Sequence, residues 1–115
     1  MPNRTLPGHY VHTKKRFPEY LQALEALGEA ARKAGPLDAK VLHLVQLAAS
    51  AALRSEGAVH SHARRALEAG ATAEEIRHAL IAVTSTIGFP NVTAALSWVE
   101  DVFRKNKSAP RRLKV

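Results

Sequence analysis

From Phe17 onward the apolar residues recur at steps of three and four. Leu21, Leu24, Leu27 and Ala31 mark one face of a helix that Pro18 opens and Gly35-Pro36 closes. Before it, residues 1–16 carry Pro2, Pro7 and Gly8, which predict an irregular lead-in. Asp38 stands as the N-cap of a second helix reaching about Ser55. Val41, Leu42, Leu44, Val45, Leu47, Ala48, Ala49, Ala51, Ala52 and Leu53 surround nearly all of it, so it is expected to be buried inside a domain or an oligomer. Its polar members, His43, Gln46, Ser50 and Arg54, fall on a single stripe, either a strip facing solvent or the wall of a polar pocket.

Gly57 reads as a break, and Ala58 to Ala69 as a third helix closed by Gly70 in the position after the C-cap. Thr72-Ala73-Glu74-Glu75 is a capping box, predicting a fourth helix with Ile76, Leu80 and Val83 inward, running to about Thr86. Gly88-Phe89-Pro90 interrupts. A fifth helix from about Asn91 carries Val92, Ala95, Leu96, Val99, Val102 and Phe103. Strand-type alternation never exceeds four residues. The expectation is an all-α bundle of about five to six helices over residues 17–103, between the lead-in 1–16 and a tail 104–115. Alanine-rich helices bury little area per residue, so association with further copies of the chain is expected as well.

The length of 115 residues suits one domain, and 46% hydrophobic with 23% charged residues is ordinary globular composition. The formal charge of +7 invites a nucleic-acid reading until it is located. Arg104, Lys105, Lys107, Arg111, Arg112 and Lys114 stand in the last twelve residues with no acid among them, whereas residues 37–103 carry more acids than bases. The positive charge belongs to a tail without aromatic platforms for bases. No apolar run approaches the roughly 18 residues of a membrane span, and Met-Pro-Asn-Arg lacks a signal-peptide core, so a cytoplasmic location and no membrane partner are expected.

Cysteine is absent, which excludes disulfides, zinc thiolates, iron–sulfur clusters and thiol catalysis. The chemistry that remains gathers in Arg54-Ser55-Glu56-Gly57-Ala58-Val59-His60-Ser61-His62. Imidazole titrates near neutral pH, so a histidine beside a carboxylate exchanges protons readily. Glu56 and His60 share a helix face, whereas His60 and His62 diverge. The plainer reading leaves one of these histidines in solvent and the other hydrogen-bonded within the bundle. A metal site from His43, His60 and His62 lacks an i,i+4 histidine pair, and no metal or cofactor is expected.

The run Leu37-Asp38-Ala39-Lys40, an alanine-rich helix, a junction ending in histidine, and Arg64-Arg65-Ala66-Leu67-Glu68-Ala69-Gly70-Ala71-Thr72-Ala73-Glu74-Glu75-Ile76 resembles the carboxymuconolactone decarboxylase / alkyl hydroperoxidase D-like superfamily. Gly88-Phe89-Pro90 with its following helix, and Phe17-Pro18-Glu19, are similar too. The resemblance implies an all-helical fold associating into trimers or hexamers. It places Ser55 and Ala58 where the hydroperoxidase branch has its two cysteines, His62 at that branch's histidine and His43 at its helix glutamate. Peroxide reduction there needs a thiolate and a resolving thiol, and a serine hydroxyl replaces neither.

The decarboxylase-like branch needs no cysteine, and cysteine-free members end the junction in a His-x-His like His60-Ser61-His62. Gly57, Ala58 and Val59 replace the bulkier residues usual there. On this resemblance His62 is the expected proton donor, with Glu56 or His60 orienting it and His43 beside it. Arg54, Arg64 and Ser55 are the expected contacts of a small carboxylate substrate. The alternatives are a non-catalytic binding or assembly module on the same fold, and a helix-turn-helix-like nucleic-acid binder using Thr72 to Val83, the less expected partner.

Overall fold

The computed structural model describes residues 8–108, with side chains through residue 106. Seven helices and no strand occur among them: α1 Gly8–Arg16, α2 Pro18–Lys33, α3 Ala39–Ala52, α4 Glu56–Glu68, α5 Ala73–Ile81, α6 Thr84–Ile87 and α7 Phe89–Ser108. The chain divides into two compact units at Pro36/Leu37.

The first unit holds α1 and α2. A helix thus stands where the sequence predicted an irregular lead-in. Gly8 is its first residue and its support comes from α2, beyond the reach of local signals; residues 1–7 of the predicted lead-in lie outside the described residues. Tyr10 donates its hydroxyl proton to Glu25, and Lys14 Nζ lies 3.2 Å from the same carboxylate. Phe17, forced toward extended backbone (φ −132°) by the proline after it, separates the two helices. On α2, Leu21 is buried while Tyr20, Leu24 and Leu27 stay exposed.

The second unit carries the core. Leu47, Ala51, Val59, Ala63, Ala66, Ala71, Ile76, Leu80, Ala95, Val99 and Phe103 form one buried cluster. α4 packs against α3 and, on its other flank, against α7. Its buried ridge Val59–Ala63–Ala66 is fully inaccessible, and the two alanines let the neighbouring helices approach closely. α3 is buried on one side only. Leu47, Ser50 and Ala51 face inward, while Val41, Val45, Ala49 and Ala52 are exposed on the opposite side. The polar stripe on α3 divides accordingly: Ser50 is buried with its hydroxyl donated to Gln46 O at 2.7 Å, His43 is half-buried and Gln46 is exposed.

Capping follows the sequence signals at two helix starts, and a third cap is new. Asp38 Oδ1 accepts from the Val41 amide at 3.0 Å, and Thr72 and Glu75 complete both arms of their box at 3.0 Å. Lys40 Nζ reaches the Glu75 carboxylate at 3.2 Å, tying the start of α3 to the start of α5. Ser55 Oγ accepts from the Ala58 amide at 3.3 Å as the N-cap of α4.

That last cap moves a boundary. Gly57 lies inside the first turn of α4, and the break falls at Arg54, whose φ is +56°. The Arg54 amide donates to Ala51 O at 3.0 Å and the Ser55 amide to Ser50 O at 3.1 Å, the paired bonds of a Schellman ending with arginine where glycine is usual. Three other boundaries shift: the predicted fourth helix is split into α5 and α6, α7 begins at Phe89, and it continues to Ser108, so residues 104–108 are helical. The rest of the predicted tail lies outside the described residues.

α4 ends in the same motif built conventionally. Gly70 (φ +102°) donates to Leu67 O at 3.0 Å, and Ala71 to Ala66 O at 2.9 Å. A Cβ at Gly70 meets no neighbour, so the backbone conformation alone sets the cost of adding one. Gly70→Ala is expected to destabilise by about 1–2 kcal/mol, read as a lower urea midpoint with an unchanged slope.

Candidate functional site

The helical period fixes where the two histidines of the His-x-His segment go. Relative to the buried ridge of α4, His60 and His62 project to opposite flanks, and both are half-buried. His62 turns toward α3, where its ring centroid lies 5.7 Å from that of His43 with 34° between the planes. His60 turns toward α7, its Nε2 lying 3.8 Å from Asp101 Oδ2 and 3.8 Å from Glu56 Oε2 one turn back on α4. One motif thus serves two interhelical seams.

The α3–α4 seam is electrostatically distinct. Burial, then the charge of Arg65, then His43, push the His62 pKa down to about 4. Its Nδ1 is buried and has no hydrogen-bond partner. At neutral pH His62 is therefore an uncharged imidazole with an unused polar edge beside a second imidazole. Arg65, three residues along the same helix, was not among the expected site residues, although its i,i+3 spacing from His62 was legible.

The remaining expected residues lie around the junction. Arg54 points its guanidinium at the Asn91 side-chain oxygen, and Asn91 in turn donates to Ile87 O at 2.8 Å. Ser55 is committed as a cap acceptor, its hydroxyl proton still available. Arg64 is half-buried, with its Nε enclosed. Glu56 is brought to His60, so the expectation that it orients His62 finds no contact to support it. Nor does the three-histidine grouping form as a cluster, because His60 joins two carboxylates across the other seam. Asp101, remote in sequence and on a different helix, carried no signal that would have linked it to His60.

The fold and this junction place the chain among known proteins. The sequence profile of the carboxymuconolactone decarboxylase family matches residues 18–101, and the chain belongs to that family. A Methanocaldococcus jannaschii protein described as uncharacterized is 34% identical over 89 residues, covering 77% of this chain and 83% of its own. An uncharacterized Haemophilus influenzae protein is 40% identical over 65 residues, 50% of this chain and 58% of that one. Among solved structures, a Legionella pneumophila member of the family superimposes with a TM-score of 0.74 at 26% identity, covering 84% of this chain and 86% of that one. A Thermotoga maritima member, for which a part in the antioxidative response has been suggested, gives 0.67 at 25% identity, with 90% and 97% covered.

The depressed His62 pKa makes stability depend on pH. In the unfolded chain the ring takes up a proton near its ordinary pKa of about 6.5, whereas the folded chain resists until about 4. The unfolded state thus binds more protons between those values, and stability falls as the pH drops through that window. Between pH 7 and pH 5 the protein is expected to lose about 1 kcal/mol more than His62→Gln does, solvent at this partly exposed ring trimming the full linkage value. Urea unfolding of both proteins at the two pH values checks this.

Proposed function

We propose that this chain is a cytoplasmic, homo-oligomeric enzyme of decarboxylase or lyase type, acting on a small carboxylate by proton transfer through His62. The observation that carries the reading is the uncharged, half-buried His62 beside His43 at the α3–α4 seam. An anionic ligand entering there adds negative charge that counters Arg65 and raises the proton affinity of the ring. His62 thereby becomes an imidazolium only when substrate is present.

The step follows. The bond between the substrate carbon and its carboxylate breaks, and the electron pair passes into an adjacent carbonyl or conjugated system. Carbon dioxide leaves, and the imidazolium gives its proton to the carbon, returning to the neutral ring. Arg54 and Arg64 hold the anionic group of the substrate, and Ser55 supplies a hydroxyl donor. Glu56 and His60 act on this site only by bracing α4 against α7. Residues 17–103 are the working domain and 104–115 a basic extension.

Three alternatives are weaker on specific grounds. A non-catalytic module on the same fold would leave His62 bonded to backbone, whereas its Nδ1 has no hydrogen-bond partner. A nucleic-acid face on α5 would have to accept Glu74 and Glu75 in its first turn, and Arg77 is held by Glu100 at 2.7 Å with its guanidinium 4.8 Å over the Phe103 ring. An antioxidant role of the thiol peroxidase kind has no thiol to act through, since the sequence contains no cysteine. Among the described residues no helix is long and apolar enough to cross a membrane.

Turnover of lactone acids of the carboxymuconolactone type tests the reading. His62→Ala is expected to lower kcat by at least about 10²-fold. Ligand binding at pH 7, followed calorimetrically in buffers of different ionisation enthalpy, is expected to show net proton uptake that this variant lacks. Unchanged turnover in His62→Ala would remove the assignment.

The oligomer is proposed on the uncovered apolar side of α3. Val45 is 53% exposed in line with Val41, Ala49 and Ala52, an arrangement that favours association with a further copy. Light scattering on the wild type is expected to give the mass of a trimer or hexamer, and Val45→Glu is expected to shift it toward the monomer.

A further inference from the structure

The α4–α7 seam holds a second constellation that proton transfer at His62 does not use. Glu56, His60 and Asp101 each offer one donor atom, and the three atoms lie within 4.8 Å of one another. The His60 Nε2 has almost no solvent access and no hydrogen-bond partner. Its separation of 3.8 Å from each carboxylate is too long for a hydrogen bond. A buried polar nitrogen left between two carboxylate oxygens calls for an explanation, and an ion is one.

We propose that Glu56, His60 and Asp101 form a binding site for a divalent transition cation, bridging α4 and α7. Metal–nitrogen and metal–oxygen bonds of about 2.0–2.2 Å set neighbouring ligand atoms roughly 3–3.5 Å apart. The observed separations are wider, 3.8 Å from His60 Nε2 to each carboxylate and within 4.8 Å across the set, and rotation of the two partly exposed carboxylate side chains would close them around an ion. Asp101 divides its two oxygens usefully: Oδ1 faces the Arg104 guanidinium, and Oδ2 faces His60. The imidazole favours zinc, cobalt, nickel or iron over magnesium or calcium, which take oxygen ligands. Two carboxylates neutralise the charge of the cation, and solvent completes its coordination on the exposed side of the seam. The site is independent of the His43–His62 pair and needs no activity to be observed.

Titration of the full-length, chelator-treated protein with Zn²⁺, and with Co²⁺ followed by its visible absorption, tests the proposal. One equivalent per chain is expected to bind saturably and to raise the melting temperature, because the ion stabilises only the folded seam. His60→Gln and Asp101→Asn are each expected to weaken binding on the order of tenfold or more and to abolish the melting shift. Their circular dichroism reports whether they remain folded. His62→Gln, and His9→Gln with His12→Gln, are expected to bind as the wild type does. Absence of saturable binding, or binding unaffected by both His60→Gln and Asp101→Asn, overturns the proposal. Loss of binding only in the His62 or His9/His12 variants would overturn it equally, by placing the metal elsewhere.

Discussion

The close seating of α4 between α3 and α7 is the constraint on which the rest of the second unit depends. Val59, Ala63 and Ala66 leave no accessible surface along that ridge, and two of the three are alanines. Small side chains shorten the distance between helix axes, so residues on either side of the ridge are pressed against neighbours they would otherwise miss. His60 and His62 occupy those two sides. A larger residue at position 63 or 66 would separate the helices and dissolve both environments together.

The two seams differ in electrostatic character although two residues separate their histidines. Toward α3, an imidazole meets another imidazole and a nearby guanidinium, which favours the uncharged form. Toward α7, an imidazole meets two carboxylates, each 3.8 Å from its Nε2. The chain belongs to the carboxymuconolactone decarboxylase family and contains no cysteine, so thiol chemistry is closed to it. Imidazole and carboxylate side chains are what the junction gathers instead.

Local signals carried much of this. The capping box at Thr72, the N-cap at Asp38 and the glycine after α4 all operate as read, because each depends on residues within four positions. The divergence of His60 and His62 was equally legible, following from helical geometry alone. What escaped depended on contacts between distant residues. Helix α1 is held by Glu25 of α2, the elbow before α4 is turned by an arginine in a glycine's conformation, and Asp101 reaches His60 across 41 positions of sequence. The fully buried α3 suggested by its composition is half uncovered in the single chain, since composition records how apolar a helix is and not which partner covers it.

Arg54 is the sole non-glycine residue with positive φ among those described, and that conformation costs an L-residue roughly 1–2 kcal/mol. The bend between α3 and α4 is thus held slightly uphill of its own preference by the bonds on either side. Any fluctuation that frees those bonds recovers this energy, an advantage the glycine-built bend after α4 does not offer. Thermal breathing of the helical unit should accordingly begin at this elbow rather than at the bend before α5.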